Sequence, residues 1–86
     1  MTEQRIFSHR RRATFAALWI DRRGRAVKLS RFTLHTLDGV RRAVREWWAL
    51  PMFRHDLPAT SCEIYATPDG STWEGAPLAV VPLPRK

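Results

Sequence analysis

GVRRAVREWWALP, residues 39–51, is the stretch that decides the fold. At 3.6 residues per turn, Val40, Val44, Trp47 and Trp48 join Leu37 on one side, and Arg41, Arg42, Arg45 and Glu46 take the other. Pro51, with the restriction it places on the residue before it, stops this helix near Ala49 or Leu50. Thr36 or Asp38 caps its start, and Asp38 faces Arg42 at i,i+4 in the favourable order. Trp47 and Trp48 lie about 100° apart on the wheel and bracket the apolar stripe, so both can reach a sheet. Trp48 also neighbours Arg41 on the wheel, where a guanidinium could cover a partly exposed ring. The segment is first a core helix. Its back, however, sets three arginines against one glutamate, and Arg41 and Arg45 form a like-charge pair that mildly weakens an isolated helix.

Outward from the helix, the chain reads as strands. TFAALWI (14–20) is a short apolar run rich in aromatic and β-branched residues, which predicts a strand buried on both sides. DRRG (21–24) is a turn, with Gly24 available for positive φ. RAVKLS (25–30) alternates, Val27 and Leu29 facing one way, and predicts a hairpin. The apolar positions then change phase to Phe32 and Leu34. Because a strand's side-chain period is two, that implies a bulge or break near Ser30-Arg31. Beyond the helix, residues 52–61 read as a loop. CEIYAT (62–67), the turn PDGS (68–71) and STWEG (71–75) form a second hairpin. PLAVVPL (77–83) is a last strand whose flanking prolines confine it to an edge or a sheet end.

The order β-β-(β)-α-β-β predicts an α+β domain over residues 13–84: a small antiparallel sheet of four or five strands packed against one amphipathic helix. Residues 1–12 precede it as a basic arm, and 85–86 follow as a basic tail. In element order, the strands and the helix around Leu37–Trp48 resemble the small sheet-plus-helix DNA-binding domains of integrase arms and AP2-type factors. That resemblance covers about half the chain and implies a fold analogy, with a second hairpin following where those domains end.

The chain's 86 residues suit one domain with a modest core, given 44% hydrophobic residues and four tryptophans. A single cysteine, Cys62, excludes an intrachain disulfide and fits a reducing, cytoplasmic setting. No apolar run approaches the ~20 residues that span a bilayer. The basic start before ATFAALWI is cut short by Asp21-Arg22-Arg23 and lacks a small-residue cleavage site, unlike a signal peptide.

Charge is the feature that stands out. Of the net +7, residues 1–45 carry 12 Lys/Arg against three acids, and residues 46–86 carry three against five. Such a half attracts acidic partners, nucleic acid foremost. Thirteen of the 15 cations are arginine, whose planar fork suits phosphates and stacks on bases, though a GC-rich genome also favours it. Three clusters supply the candidate contacts: Arg10, Arg11 and Arg12 in the arm, Arg22, Arg23 and Arg25 at the hairpin tip, and Arg41, Arg42 and Arg45 on the helix back. Each cluster taken alone equally suits a solvated surface. Their coincidence in one half carries the argument.

Enzymatic chemistry finds little support. His9, His35, His55 and Cys62 lack metal-ligand spacing. Cys62 falls in the alternating set Cys62/Ile64/Ala66 and reads as inert packing rather than a nucleophile. The four glycines are scattered and form no phosphate loop, and no cofactor is implied. Trp19 reads as core, whereas Trp73, beside Glu74, is the best candidate for an exposed ring and hence an interface anchor. Two functions therefore compete. One is a non-enzymatic module that binds DNA or RNA through phosphates with little sequence preference. The other is a small inhibitor or adaptor, of a kind common on mobile elements, docking on an acidic surface of a protein or nucleoprotein. An open edge on the last strand would let two copies pair under either.

Overall fold

Alternation sets the architecture. In the computed structural model, which describes residues 13–51, 57–68 and 72–84, four strands and one helix follow in the order β1 (Ala13–Asp21), β2 (Ala26–Leu34), α1 (Leu37–Ala49), β3 (Ala59–Ala66) and β4 (Ala79–Pro82). The strands form one antiparallel sheet in the order β2-β1-β3-β4. This is an α+β fold, with α1 lying across one face of the sheet. The arm and the tail fall outside the described residues.

β1 is a central strand, paired on both sides. Phe15, Ala16, Ala17, Trp19 and Ile20 are all buried, as expected for a strand covered on two faces. Phe15, Ala17 and Trp19 point to the helix side, where they meet Cys62 and Ile64 of β3 and Val81 of β4. Cross-strand partners confirm the register: Trp19 opposite Cys62, Cys62 opposite Val81.

β2 departs from expectation in an instructive way. It pairs with β1 without a break from Ala13↔Leu34 to Trp19↔Lys28, so there is no bulge at Ser30-Arg31. The irregularity lies at the hairpin end, between Trp19 and Ile20. The helix-facing set is Lys28, Ser30, Phe32 and Leu34, in one phase throughout. Ser30 is buried because its hydroxyl accepts the indole N–H of Trp19 at 3.0 Å. A satisfied polar side chain can sit in a core that an unsatisfied one would destabilise. Leu29, one of the two apolar positions of the RAVKLS alternation, lies opposite Leu18 on the other face, and Val27, the other, is exposed.

α1 begins at Thr36, whose side chain accepts the Gly39 amide at 3.0 Å, and ends at Leu50, as the proline requires. Val40, Val44 and Trp48 are buried. The two tryptophans divide the sheet between them. Trp48 stacks on Trp19 with centroids 6.2 Å apart, and Trp47 meets Phe32 edge-on at 5.0 Å. Such pairs add roughly 0.5–1.5 kcal/mol beyond the area they bury. Trp48 is 3% exposed, so it is not a ring lying open beneath Arg41; Trp47, at 39%, is the half-open one. The Trp48 indole N–H donates to the Pro84 carbonyl at 2.8 Å, which ties the end of the chain to the helix.

The second half corrects two further expectations. β3 starts at Ala59 rather than Cys62, because Ala59 joins the core. Its hairpin partner is β4, not STWEG: residues 72–74 form no strand, and the turn expected at 68–71 lies, from 69 to 71, outside the described residues. β4 is an edge, as its prolines suggest. Among the described residues, no helix is long and apolar enough to cross a membrane.

Candidate functional site

The β1–β2 turn is built to push its arginines outward. The Asp21 carboxylate accepts from the amides of Arg23 at 2.8 Å and Arg25 at 2.9 Å, and the Asp21 carbonyl accepts from Gly24 at 3.0 Å. Gly24 has φ +83°, a conformation that side-chain-bearing residues rarely adopt. The hydrogen bond from the Arg25 amide is the main reason the Asp21 carboxyl sits below its ordinary range. Desolvation opposes it, and the Arg23 amide and the two guanidinium charges add to it. With the carboxylate spent on backbone amides, the side chains of Arg22, Arg23 and Arg25 are left exposed.

On the helix back, Asp38 pairs with Arg41 at 3.2 Å, one residue short of the Arg42 partner expected from the spacing. Arg42 and Arg45 are exposed. Neither they nor Arg22, Arg23 and Arg25 make an ion pair among the described residues. Five guanidinium groups thus keep their charge turned to solvent: Asp21 and Asp38 are already engaged, and Glu46 lies exposed beside Arg42 and Arg45 on the helix back.

Two of the three basic clusters meet at one end of the domain. A notch of about 460 Å³ is walled by Arg22 and Arg23 of the turn, Trp48 of α1, and Leu83 and Pro84 after β4. A second, of about 320 Å³, lies across the Trp48–Pro84 tie and is rimmed by Arg45, with Ala49 and Pro82 completing it. Arg25, Arg41 and Arg42 line neither notch. The third cluster, Arg10–Arg12, lies outside the described residues. The sequence could supply the arginines but not this convergence, because it depends on α1 running back over Trp19 toward the turn.

The face of the sheet away from α1 holds Trp73. Its ring packs on Tyr65 with centroids 6.0 Å apart, so it is half-buried rather than open. Tyr65 in turn donates its hydroxyl to Glu63 at 2.8 Å, which raises its pKa above the ordinary value. Leu78, just before β4, and Val80 on it are exposed, at 51% and 54%.

Cys62 lies fully in the core, and burial pushes its thiol up to about 12 with a smaller contribution from Glu63. A thiol so protonated is a poor nucleophile. His35 is exposed, His9 and His55 lie outside the described residues, and no group of three or more metal-binding side chains occurs among the described ones. Comparison with protein-family models, curated proteins and solved structures gave no match.

Proposed function

We propose that this protein is a non-enzymatic binding module that grips nucleic acid through phosphate contacts with little sequence preference. The observation that carries this reading is the set of five exposed arginines, 22, 23, 25, 42 and 45, that make no ion pair among the described residues. A solvated surface that served only solubility would more often interleave signs. Here Asp21 is spent on turn amides and Asp38 on Arg41, which leaves Glu46 alone against Arg42 and Arg45 on the helix back. Guanidinium groups held in this way can replace the counterions of a phosphate backbone, and their release supplies affinity.

The test is fluorescence anisotropy with labelled duplex DNA and single-stranded RNA at two salt concentrations. Binding should weaken steeply with salt, with a log–log slope of about −0.9 per phosphate contact on duplex. Arg42→Glu/Arg45→Glu should flatten that slope by roughly two units and leave thermal unfolding unchanged. This pair is preferable to Arg41 and Arg45, because Arg41→Glu would also break the Asp38 pair. Unchanged binding in the double variant would remove α1 from the interface.

The competing reading, a small inhibitor or adaptor docking on an acidic protein surface, draws on the Tyr65–Trp73 pair and the exposed Leu78 and Val80. It predicts no binding to free nucleic acid even at low salt, and capture of an acidic partner that Trp73→Ala abolishes. A homodimer through β4 would have only a four-residue edge to use, and Pro82 lacks a donor there. Sedimentation is therefore expected to show a monomer.

A further inference from the structure

We infer that the two notches flanking the Trp48–Pro84 tie are base-binding subsites, which makes single-stranded nucleic acid, rather than duplex, the preferred ligand. The inference rests on the phosphate-contact reading above and adds what lies between the phosphates. Each notch is lined by arginine together with apolar side chains. In the larger, Arg22 and Arg23 line it with Pro58, Leu83 and Pro84. In the smaller, Arg45 lines it with Pro82, Leu83 and Pro84. Such a combination suits a ligand whose unit is a flat, weakly polar ring attached to a phosphate. A guanidinium both stacks on a base and holds a phosphate, and single strands present unstacked bases for such platforms. Duplex DNA would offer these notches nothing, because its bases are stacked inside.

The geometry supports consecutive units of one strand. Trp48, Leu83 and Pro84 are walls common to both notches, so neighbouring bases would straddle a single rib. The rib is held together by the indole hydrogen bond to the Pro84 carbonyl. In the larger notch one polar group is free to turn toward a base edge. The Thr60 hydroxyl bonds the Ile20 carbonyl at 3.4 Å, long for a hydroxyl donor, and so gives up little by re-aiming. Asp21 also borders this notch, but its carboxylate is directed to the Arg23 and Arg25 amides, and three arginines surround it.

The experiment compares a ten-nucleotide oligothymidylate, an oligouridylate of equal length, an abasic deoxyribose-phosphate decamer and a duplex of matched charge. The full-length protein should bind one or both of the base-bearing single strands at least about tenfold more tightly than the abasic chain, from base stacking. Duplex should fall near the abasic level. Thr60→Phe fills the larger notch from an exposed strand position, and Ala49→Phe fills the smaller from the exposed end of α1. Each should lower base-bearing affinity toward the abasic value and leave abasic binding unchanged. The two variants are independent, so misfolding of one, detected by circular dichroism, leaves the other decisive. Equal affinity for abasic and base-bearing strands, or a preference for duplex, would overturn the base subsites while the phosphate reading stood. Absence of binding to all four probes would overturn both.

Discussion

The two faces of the sheet are made from alternate residues of the same four strands, yet only one of them lies under the helix. The face under α1 gathers Phe15, Trp19, Phe32, Cys62, Ile64 and Val81 into the core. The other carries Leu18, Leu29, Tyr65 and Val80, without a helix over it, and Glu63 and Arg31 sit among them. The difference teaches where stability and function are kept. Most of the buried large side chains lie on the helix face, with Ala16 and Ile20 buried on the other. The charged groups that could meet a partner lie at the rim of that same layer, on the turn and on the back of the helix, where substituting them costs the core nothing.

The largest expected effect breaks the covered face. Trp48→Ala removes the ring stacked on Trp19 and leaves the Pro84 carbonyl without its donor. It should cost roughly 3–5 kcal/mol, as large-to-small core changes do. Trp47→Ala, one residue away, removes a ring that is 39% exposed and should cost clearly less. Urea unfolding of the two variants reads the difference directly. Equal losses would mean that the neighbouring tryptophans share the core, contrary to the packing described here.

A smaller effect tests the polar member of that face. Ser30→Ala strips the acceptor from the buried Trp19 indole N–H and should cost about 1–3 kcal/mol, the penalty of an unsatisfied buried donor. Ser30→Thr, which keeps a hydroxyl, should recover part of it. If Ser30→Ala unfolded at the wild-type urea midpoint, the indole would have to find another acceptor.

Ser30 also explains what the sequence could and could not disclose. Helix α1 was legible almost to the residue, because its apolar stripe, its Thr36 cap and Pro51 act within a few positions of each other. The buried first strand and the Gly24 turn were equally local. The phase of β2 was not. The pattern treats a serine as a surface residue, and only the indole lying across from it on β1 makes it a core one. The second hairpin failed for a related reason. Ala59 looks like part of a loop until the bulge at Ile20/Asp21 brings it inward, and STWEG resembles a strand although Trp73 is held by Tyr65 instead. As for the site, the arginines were visible by charge alone. Their convergence around Trp48 and Pro84 was hidden, since the carbonyl that anchors the rib lies 36 residues from the indole that binds it.

The smallest expected effect uses one substitution on both faces. Val80 and Val81 are neighbours on β4, 54% and 2% exposed. Threonine matches valine in shape and strand preference, so the exchange changes little besides adding a hydroxyl. At position 81 the hydroxyl would enter the core beside Cys62 and should cost about 1–3 kcal/mol unless it captures a partner. At position 80 it would meet water, and the change should stay within about 0.5 kcal/mol. A one-residue slip of this short edge strand would exchange the two outcomes, because every side chain would move to the opposite face. The pair of midpoints thus checks the register of β4 without reference to any ligand. A neutral Val80→Thr also makes that variant a fair probe of the open face: lost partner binding could then be read as lost contact rather than lost fold.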